Sequence, residues 1–236
     1  MSSLLATFRS SLGSKYLMAV TGVILMLWVT AHLIGNLQVF PFLGGRTAVN
    51  DYAVFLKSHP GLLWTSRIVM SVVLLVHVLT GIRLARGNQS ARPVPYRKSS
   101  TIQASMASRS MLLTGLCVAA YLVYHLLHFT LGVTNQDHFH SREIVAGVER
   151  HDVYTMVVLG FQQPLIALAY LVAMVLLALH LSHGASSFFQ TLGIHHARYN
   201  GILRKVGPVL GSVIAAGFMS IPIAVWAGIV TLSGGK

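Results

Sequence analysis

Four histidines sit where an ionisable side chain is costly. His32, His77, His125 and His180 each fall inside a long apolar run, one per run, in a 236-residue chain that is only 9% charged. A neutral imidazole in such a place can hydrogen-bond a neighbouring backbone carbonyl, pass protons, or give a nitrogen lone pair to a metal. One such residue says little between these uses. Four, spread one to a run, say more once their depths are known. Zinc prefers three or four ligands gathered at one level, which this spacing does not offer. Cys117 is the only cysteine, so there is neither a disulfide framework nor an iron–sulfur ligand set.

The elements that must position these residues are five apolar runs of spanning length: Tyr16–Phe40, Leu62–Ile82, Met111–Val133, Tyr154–Leu181 and Val206–Val230. At about 1.5 Å of rise per residue, each reaches across a hydrocarbon layer of about 30 Å. A bilayer admits only helices and closed barrels, and none of the runs alternates with period two. The expected fold is therefore an all-α membrane protein, a single transmembrane domain over 1–236 with five spanning helices. With 54% hydrophobic residues and a mean hydropathy of +0.69, the composition lies far from that of soluble domains. The first run is too long for a signal peptide, has no small-residue cleavage site, and reads as a retained span. Pro164, Pro208 and Pro222 predict local kinks in the last two. Arg67, near the start of the second, reads as snorkelling to the headgroups.

Charge sets the orientation. Arg9 and Lys15 precede the first run. Arg83, Arg86, Arg92, Arg97, Lys98 and Arg109 lie between the second and third, and Arg198, Arg204 and Lys205 between the fourth and fifth. Every acid, Asp51, Asp137, Glu143, Glu149 and Asp152, lies in the other two connections. The positive-inside rule then predicts a cytoplasmic N-terminus and an outer C-terminus. The net charge of +12 is thus mostly topological and does not point to nucleic acid. It leaves room for a soluble partner on the cytoplasmic face.

Orientation turns sequence position into depth. His32 lies about 24 Å from the inner end of its helix and His125 about 21 Å from that of its own. His77 and His180 lie close to the inner ends of theirs, His77 about 9 Å away. The residues pair by level as His32 with His125 and His77 with His180. Two histidines on facing helices across a four-helix core can grip a haem by both axial positions, and two stacked pairs mean two haems and a path for electrons. Spans one and three also share a Thr-Gly-x9-His pattern, Thr21–Gly22–His32 and Thr114–Gly115–His125. Glycine there would admit a planar ring or another helix close to the backbone, or serve ordinary small-residue packing.

Two spans carry a second histidine three residues on, His128 after His125 and His183 after His180, and spacing alone does not choose the ligand. The other member could hydrogen-bond a haem propionate or a quinone oxygen, or be a satisfied interfacial residue. His138, His140, His195 and His196 read as solvated loop residues, and His59 has no evident task.

The segments VTGVILMLWVTAHLIGNLQ, YHLLHFTLG and LHLSHGASSFFQTLG make nearly the whole chain resemble the cytochrome b membrane anchor of succinate dehydrogenase and fumarate reductase, of the single-chain, five-helix, two-haem type. The resemblance implies axial haem ligands at His32, His77, His125 and His180, with His32/His125 at the outer haem and His77/His180 at the inner. It favours His180 over His183, from the offset to the QTLG segment, and His125 over His128. It implies two b haems, a flavoprotein subunit and an iron–sulfur subunit as partners, a bacterial cytoplasmic membrane, and a membrane quinone, with menaquinone expected. A higher oligomer is compatible with it. Quinone candidates are Gln38, Asn50 and Asp51 on the outer side and Arg9, Ser10 and Arg109 on the inner; Arg109, His128 and His183 are also candidate propionate contacts. The chain itself contains no glycine-rich flavin fingerprint, which suits an anchor. Two alternatives are a haem-b anchor for another dehydrogenase and a transporter relaying protons through its histidines. A transporter should show paired broken helices in related halves, and no such pair is visible.

Overall fold

The computed structural model describes residues 10–91, 106–194 and 196–233. Ser10 opens the first helix, α1 (Ser11–Leu37), as its cap: the Gly13 amide donates to Ser10 Oγ at 3.0 Å. A 3-10 turn over Pro41–Leu43 leads into the amphipathic α2 (Gly45–Ser58). Pro60 then starts α3 (Pro60–Ser90), where its missing amide proton costs nothing. This helix runs two turns past the predicted end, so Arg83 and Arg86 lie on helix rather than in a loop. Arg92, Arg97 and Lys98 lie outside the described residues, as do Arg9 and His195.

After the short α4 (Met106–Arg109), α5 (Met111–His125) continues into a π turn over Leu126–Thr130, where the Leu131 amide reaches back to the Leu126 carbonyl at 2.8 Å. The short α6 (Gln136–Phe139) follows. A β-hairpin then interrupts the expected all-α chain: β1 (Arg142–Val145) pairs with β2 (Val148–His151) in antiparallel register, Glu143 opposite Arg150. Its two-residue turn, Ala146 at φ 51° and Gly147 at φ 79°, has the positive angles that suit the twist of a tight hairpin.

The fourth predicted span, Tyr154–Leu181, needs correction. It is two helices, α7 (Val153–Gln162) and α8 (Pro164–Thr191). The residue before a proline is pushed out of helical geometry, and Gln163 is extended at ψ 114°, so the chain stops and restarts rather than kinks. Pro208 and Pro222 do not interrupt α9 (Asn200–Trp226).

Five of these helices, α1, α3, α8, α9 and the stretch Met111–Thr130, are long and apolar enough to cross a membrane, which makes the chain a multi-pass membrane protein. Their apolar side chains are widely exposed, as with Ile68, Val72, Leu75 and Leu79 along α3, where lipid rather than water suits them. The chain divides into two compact units, each assembled from parts of several helices. The first holds Met1–Trp28, Val69–Cys117 and Leu176–Ser212. Here α9 approaches α8 through Gly207 and Gly211: a Cβ on them would lie 2.1 Å from the Ser182 carbonyl oxygen and 2.7 Å from that of Ala178. Small residues at four-residue spacing let two helix backbones meet where lipid offers no hydrophobic drive to associate.

The second unit holds Val29–Ile68, Val118–Val175 and Val213–Lys236. Its core gathers Val39, Phe40, Tyr154, Val158, Phe161, Tyr170, Ile221 and Val225. A polar network ties α2 to the hairpin and α7. Asp152 caps α7 by accepting from the Thr155 amide at 3.0 Å and from Thr155 Oγ1 at 2.6 Å. The same carboxylate takes Asn50 Nδ2 and Arg46 Nη2, each at 2.9 Å, and Arg46 also reaches Thr155 Oγ1. Asn50, with 0% exposure, accepts the Tyr154 amide at 3.0 Å. Arg150 joins Glu143 across the hairpin at 2.7 Å and Asp51 of α2 at 2.6 Å.

Candidate functional site

In the first unit α3 and α8 present His77 and His180, whose ring centres are 6.3 Å apart with planes at 74°. The glycines of the two threonine–glycine pairs, on α1 and α5, lie against these rings. A Cβ on Gly22 would lie 3.4 Å from His77 Cε1, and one on Gly115 would lie 2.9 Å from His180 Cε1. Each glycine therefore admits an imidazole of another helix, the planar-ring option left open by the sequence.

The Thr21 hydroxyl donates to the Leu17 carbonyl at 2.7 Å and lies 3.0 Å from His77 Nδ1. Its proton being committed to Leu17, the hydroxyl accepts from His77 Nδ1–H, which leaves the lone pair at Nε2. Thr114, in the matching place on α5, is turned to its own helix, donating to the Ser110 carbonyl at 3.0 Å. His180 Nδ1 is buried with no hydrogen-bond partner among the described residues. His183, three residues on, is half-buried, and the structure brings His180 rather than His183 to His77.

In the second unit α1 and α5 present His32 and His125, with ring centres 5.9 Å apart and planes at 83°. His32 is exposed and also lies against Phe218, 5.9 Å away. His128 is not brought to His32. Only 1% exposed, it stacks on Phe129 at 3.9 Å and points Nδ1 at the Tyr170 hydroxyl, 2.9 Å away. Tyr121, Tyr124, Phe129 and Phe161 surround Tyr170 with ring centres 5.1–6.1 Å from its own.

Two imidazoles facing one metal ion have predictable spacing. Metal–nitrogen bonds of about 2.0 Å, with each ring centre about 1.1 Å behind its nitrogen, put the centres about 6.2 Å apart. Both couples lie close to that value. Among the described residues no group of three or more His, Cys, Asp or Glu could hold a metal ion, so a metal between either couple must bring its other ligands with it. A haem would do so, and the two imidazoles of each couple would hold its iron. The residues fit that group: ring centres at the separation two ligating imidazoles require, the Nε2 lone pair of His77 left open by Thr21, and a buried His180 Nδ1 with no hydrogen-bond partner among the described residues.

The remaining candidates fall as follows. Ser10 is engaged as the cap of α1, Arg109 is exposed at the end of α4, and Gln38 is half-buried just past α1. Asn50 is fully committed to Asp152 and the Tyr154 amide, and Asp51 is 58% exposed at its side chain and ion-paired to Arg150. Both belong to helix α2 rather than to a loop. The sequence reading passed over Tyr170 and the network around Asp152. Asp152-x-x-Thr155 ahead of an apolar run is a helix-start signal that could have located the network. A tyrosine inside an apolar run is a weaker one, since its hydroxyl needs a partner when buried.

Compared with models of known protein families, with curated proteins and with solved structures, the chain finds no match in any of the three.

Proposed function

We propose that this chain is the cytochrome b membrane anchor of a succinate:quinone oxidoreductase, holding two b haems with two histidines each. The observation that carries the reading is the pair of facing imidazole couples, His77/His180 and His32/His125, on apolar helices at the ring separation that a bis-imidazole metal requires. Haem supplies one-electron carriage when bound. The chain's own residues do the rest. Thr21 orients His77 and fixes its tautomer, Gly22 and Gly115 give the inner rings room against the backbone, and the apolar helices keep bulk water away.

The resemblance in motif adds the context. Electrons pass between an iron–sulfur subunit, itself served by a flavoprotein, and a membrane quinone, for which menaquinone is proposed. The complex oxidises succinate or runs in reverse, in a bacterial cytoplasmic membrane with the chain's N-terminus on the cytoplasmic side. Gln38 is the preferred polar contact for quinone on the outer side, because Asn50 and Asp51 already have partners.

The test is pyridine haemochrome quantitation on the purified chain. Two b haems per polypeptide are expected; none or one overturns the two-couple reading. Co-purification of a flavoprotein and an iron–sulfur protein tests the choice of complex separately.

A further inference from the structure

The Tyr170 hydroxyl lies between two imidazoles of the third spanning stretch. His128 Nδ1 is 2.9 Å from it and His125 Nδ1 is 3.4 Å from it. Its packing among aromatic rings would be served equally by phenylalanine, so the hydroxyl calls for a reason of its own. The π turn supplies part of it. In a regular helix a residue three positions on lies about 60° round the axis. The wider turn over Leu126–Thr130 changes that angle, and His125 faces His32 while His128 stacks on Phe129 and Tyr124. Tyr170 of α8 reaches both.

A tyrosine hydroxyl has one proton to give. Binding a metal uses the lone pair of one imidazole nitrogen and leaves the proton on the other, and in His125 it is Nδ1 that is turned to Tyr170. His125 Nδ1–H then donates to the tyrosine oxygen, and the tyrosine proton goes to His128 Nδ1. The proton of neutral His128 is left on Nε2, which is buried with no partner among the described residues. Ligation at one end thus sets the tautomers of both imidazoles and the direction in which the tyrosine donates. A hydroxyl that is itself donating is also a better acceptor, so His128 strengthens the bond from His125.

We propose that Tyr170 and His128 are positioning residues for His125: they hold its ring and tautomer and increase its electron donation, as Thr21 does separately for His77. This rests on the reading of His125 and His77 as haem ligands. A ligand that donates its distal N–H is a stronger base and favours ferric iron. Cutting the chain should therefore raise the midpoint potential of the His32/His125 site alone.

The experiment is a redox titration of the haem absorption in the full membrane protein, with haem counted in every sample. Tyr170→Phe should move one of two components upward by about tenfold in the oxidised-to-reduced ratio, about 59 mV for one electron. Thr21→Val should move the other component and leave the first in place. His128→Leu should act in the direction of Tyr170→Phe, whereas His128→Asn, which keeps an acceptor near Nδ1, should stay close to the parent. His128→Leu decides the matter alone if Tyr170→Phe fails to fold. Two haems with neither component moved by Tyr170→Phe and His128→Leu, or the same component moved by them as by Thr21→Val, overturns the proposal and leaves the haem reading standing. A parent protein without haem overturns both.

Discussion

His77 is backed by a threonine hydroxyl and His125 by a tyrosine hydroxyl, and the units around them are built as differently as those two side chains. The first unit is fitted together by small residues: Gly22 and Gly115 accept imidazoles, and Gly207 and Gly211 accept the backbone of α8. The second is fitted together by large ones, the rings around Tyr170, and by a buried carboxylate, Asp152, with its partners. The contrast follows from what each must hold in place. Within apolar helices, close backbone approach and dispersion are the available glue. Where chain also forms α2, α7 and a hairpin, polar groups must be buried, and they stay only if fully paired.

The largest effect should come from breaking one couple at a time. On the proposed two-haem reading, His77→Ala or His180→Ala should lower the haem count from two to one per chain and spare the His32/His125 site. His32→Ala or His125→Ala should do the converse. Pyridine haemochrome with redox titration reads both the count and which component survives. Loss of both haems from any single substitution would show that the two sites are not separately built.

Next in size is the polar network of the second unit. Asp152→Ala removes the cap of α7, leaves Asn50 Nδ2 without its acceptor and takes the paired carboxylate from Arg46, a loss of about 2–4 kcal/mol in unfolding free energy measured in detergent. The network also sets a pH dependence. Burial opposes ionisation of Asp152, but hydrogen bonds from Thr155 and Asn50 and the charge of Arg46 outweigh it and hold the carboxyl below its ordinary value. A depressed acid contributes stability above its unfolded pKa of about 3.9 and loses it as pH falls through the lower folded value. The Asp152-dependent difference in unfolding, parent against Asp152→Ala, should therefore be constant from neutral pH down to about pH 5 and shrink below about pH 4.

How far this contrast could be read from sequence differs between the units. The spanning helices were legible because length and apolarity fix them, and constant helical rise led to the couples His32–His125 and His77–His180, whose rings lie 5.9 and 6.3 Å apart. The seats of the rings were half legible: threonine and glycine at a fixed offset marked a face, but not that Thr21 would serve a histidine of the neighbouring α3. Gly207 and Gly211 stand in the sequence as a small-residue pair at four-residue spacing, the pattern of close helix packing. The hairpin was not anticipated, and at Pro164 a kink was expected where the chain breaks: a hydrophobicity window joins Tyr154 to Leu181, and the proline pushes Gln163 fully out of helical geometry. The path from His125 through Tyr170 to His128 depends on a π turn, which no apolar periodicity announces.

The finest test of the comparison lies within the first unit, between its two glycines. A methyl on Gly115 would sit 2.9 Å from His180 Cε1, closer than carbon atoms pack, and His180 cannot retreat without changing its distance to His77. A methyl on Gly22 would sit 3.4 Å from His77 Cε1, an ordinary contact, while Thr21 still holds the ring by Nδ1. Gly115→Ala should therefore lower haem occupancy or shift the potential at the His77/His180 site, and Gly22→Ala should change either only slightly. Neither should alter the His32/His125 component, where the Tyr170 hydroxyl rather than a glycine of α1 or α5 lies against the ring of His125. Equal effects of the two alanines would mean that space, rather than the distance and angle of a seated ring, is all that these glycines provide.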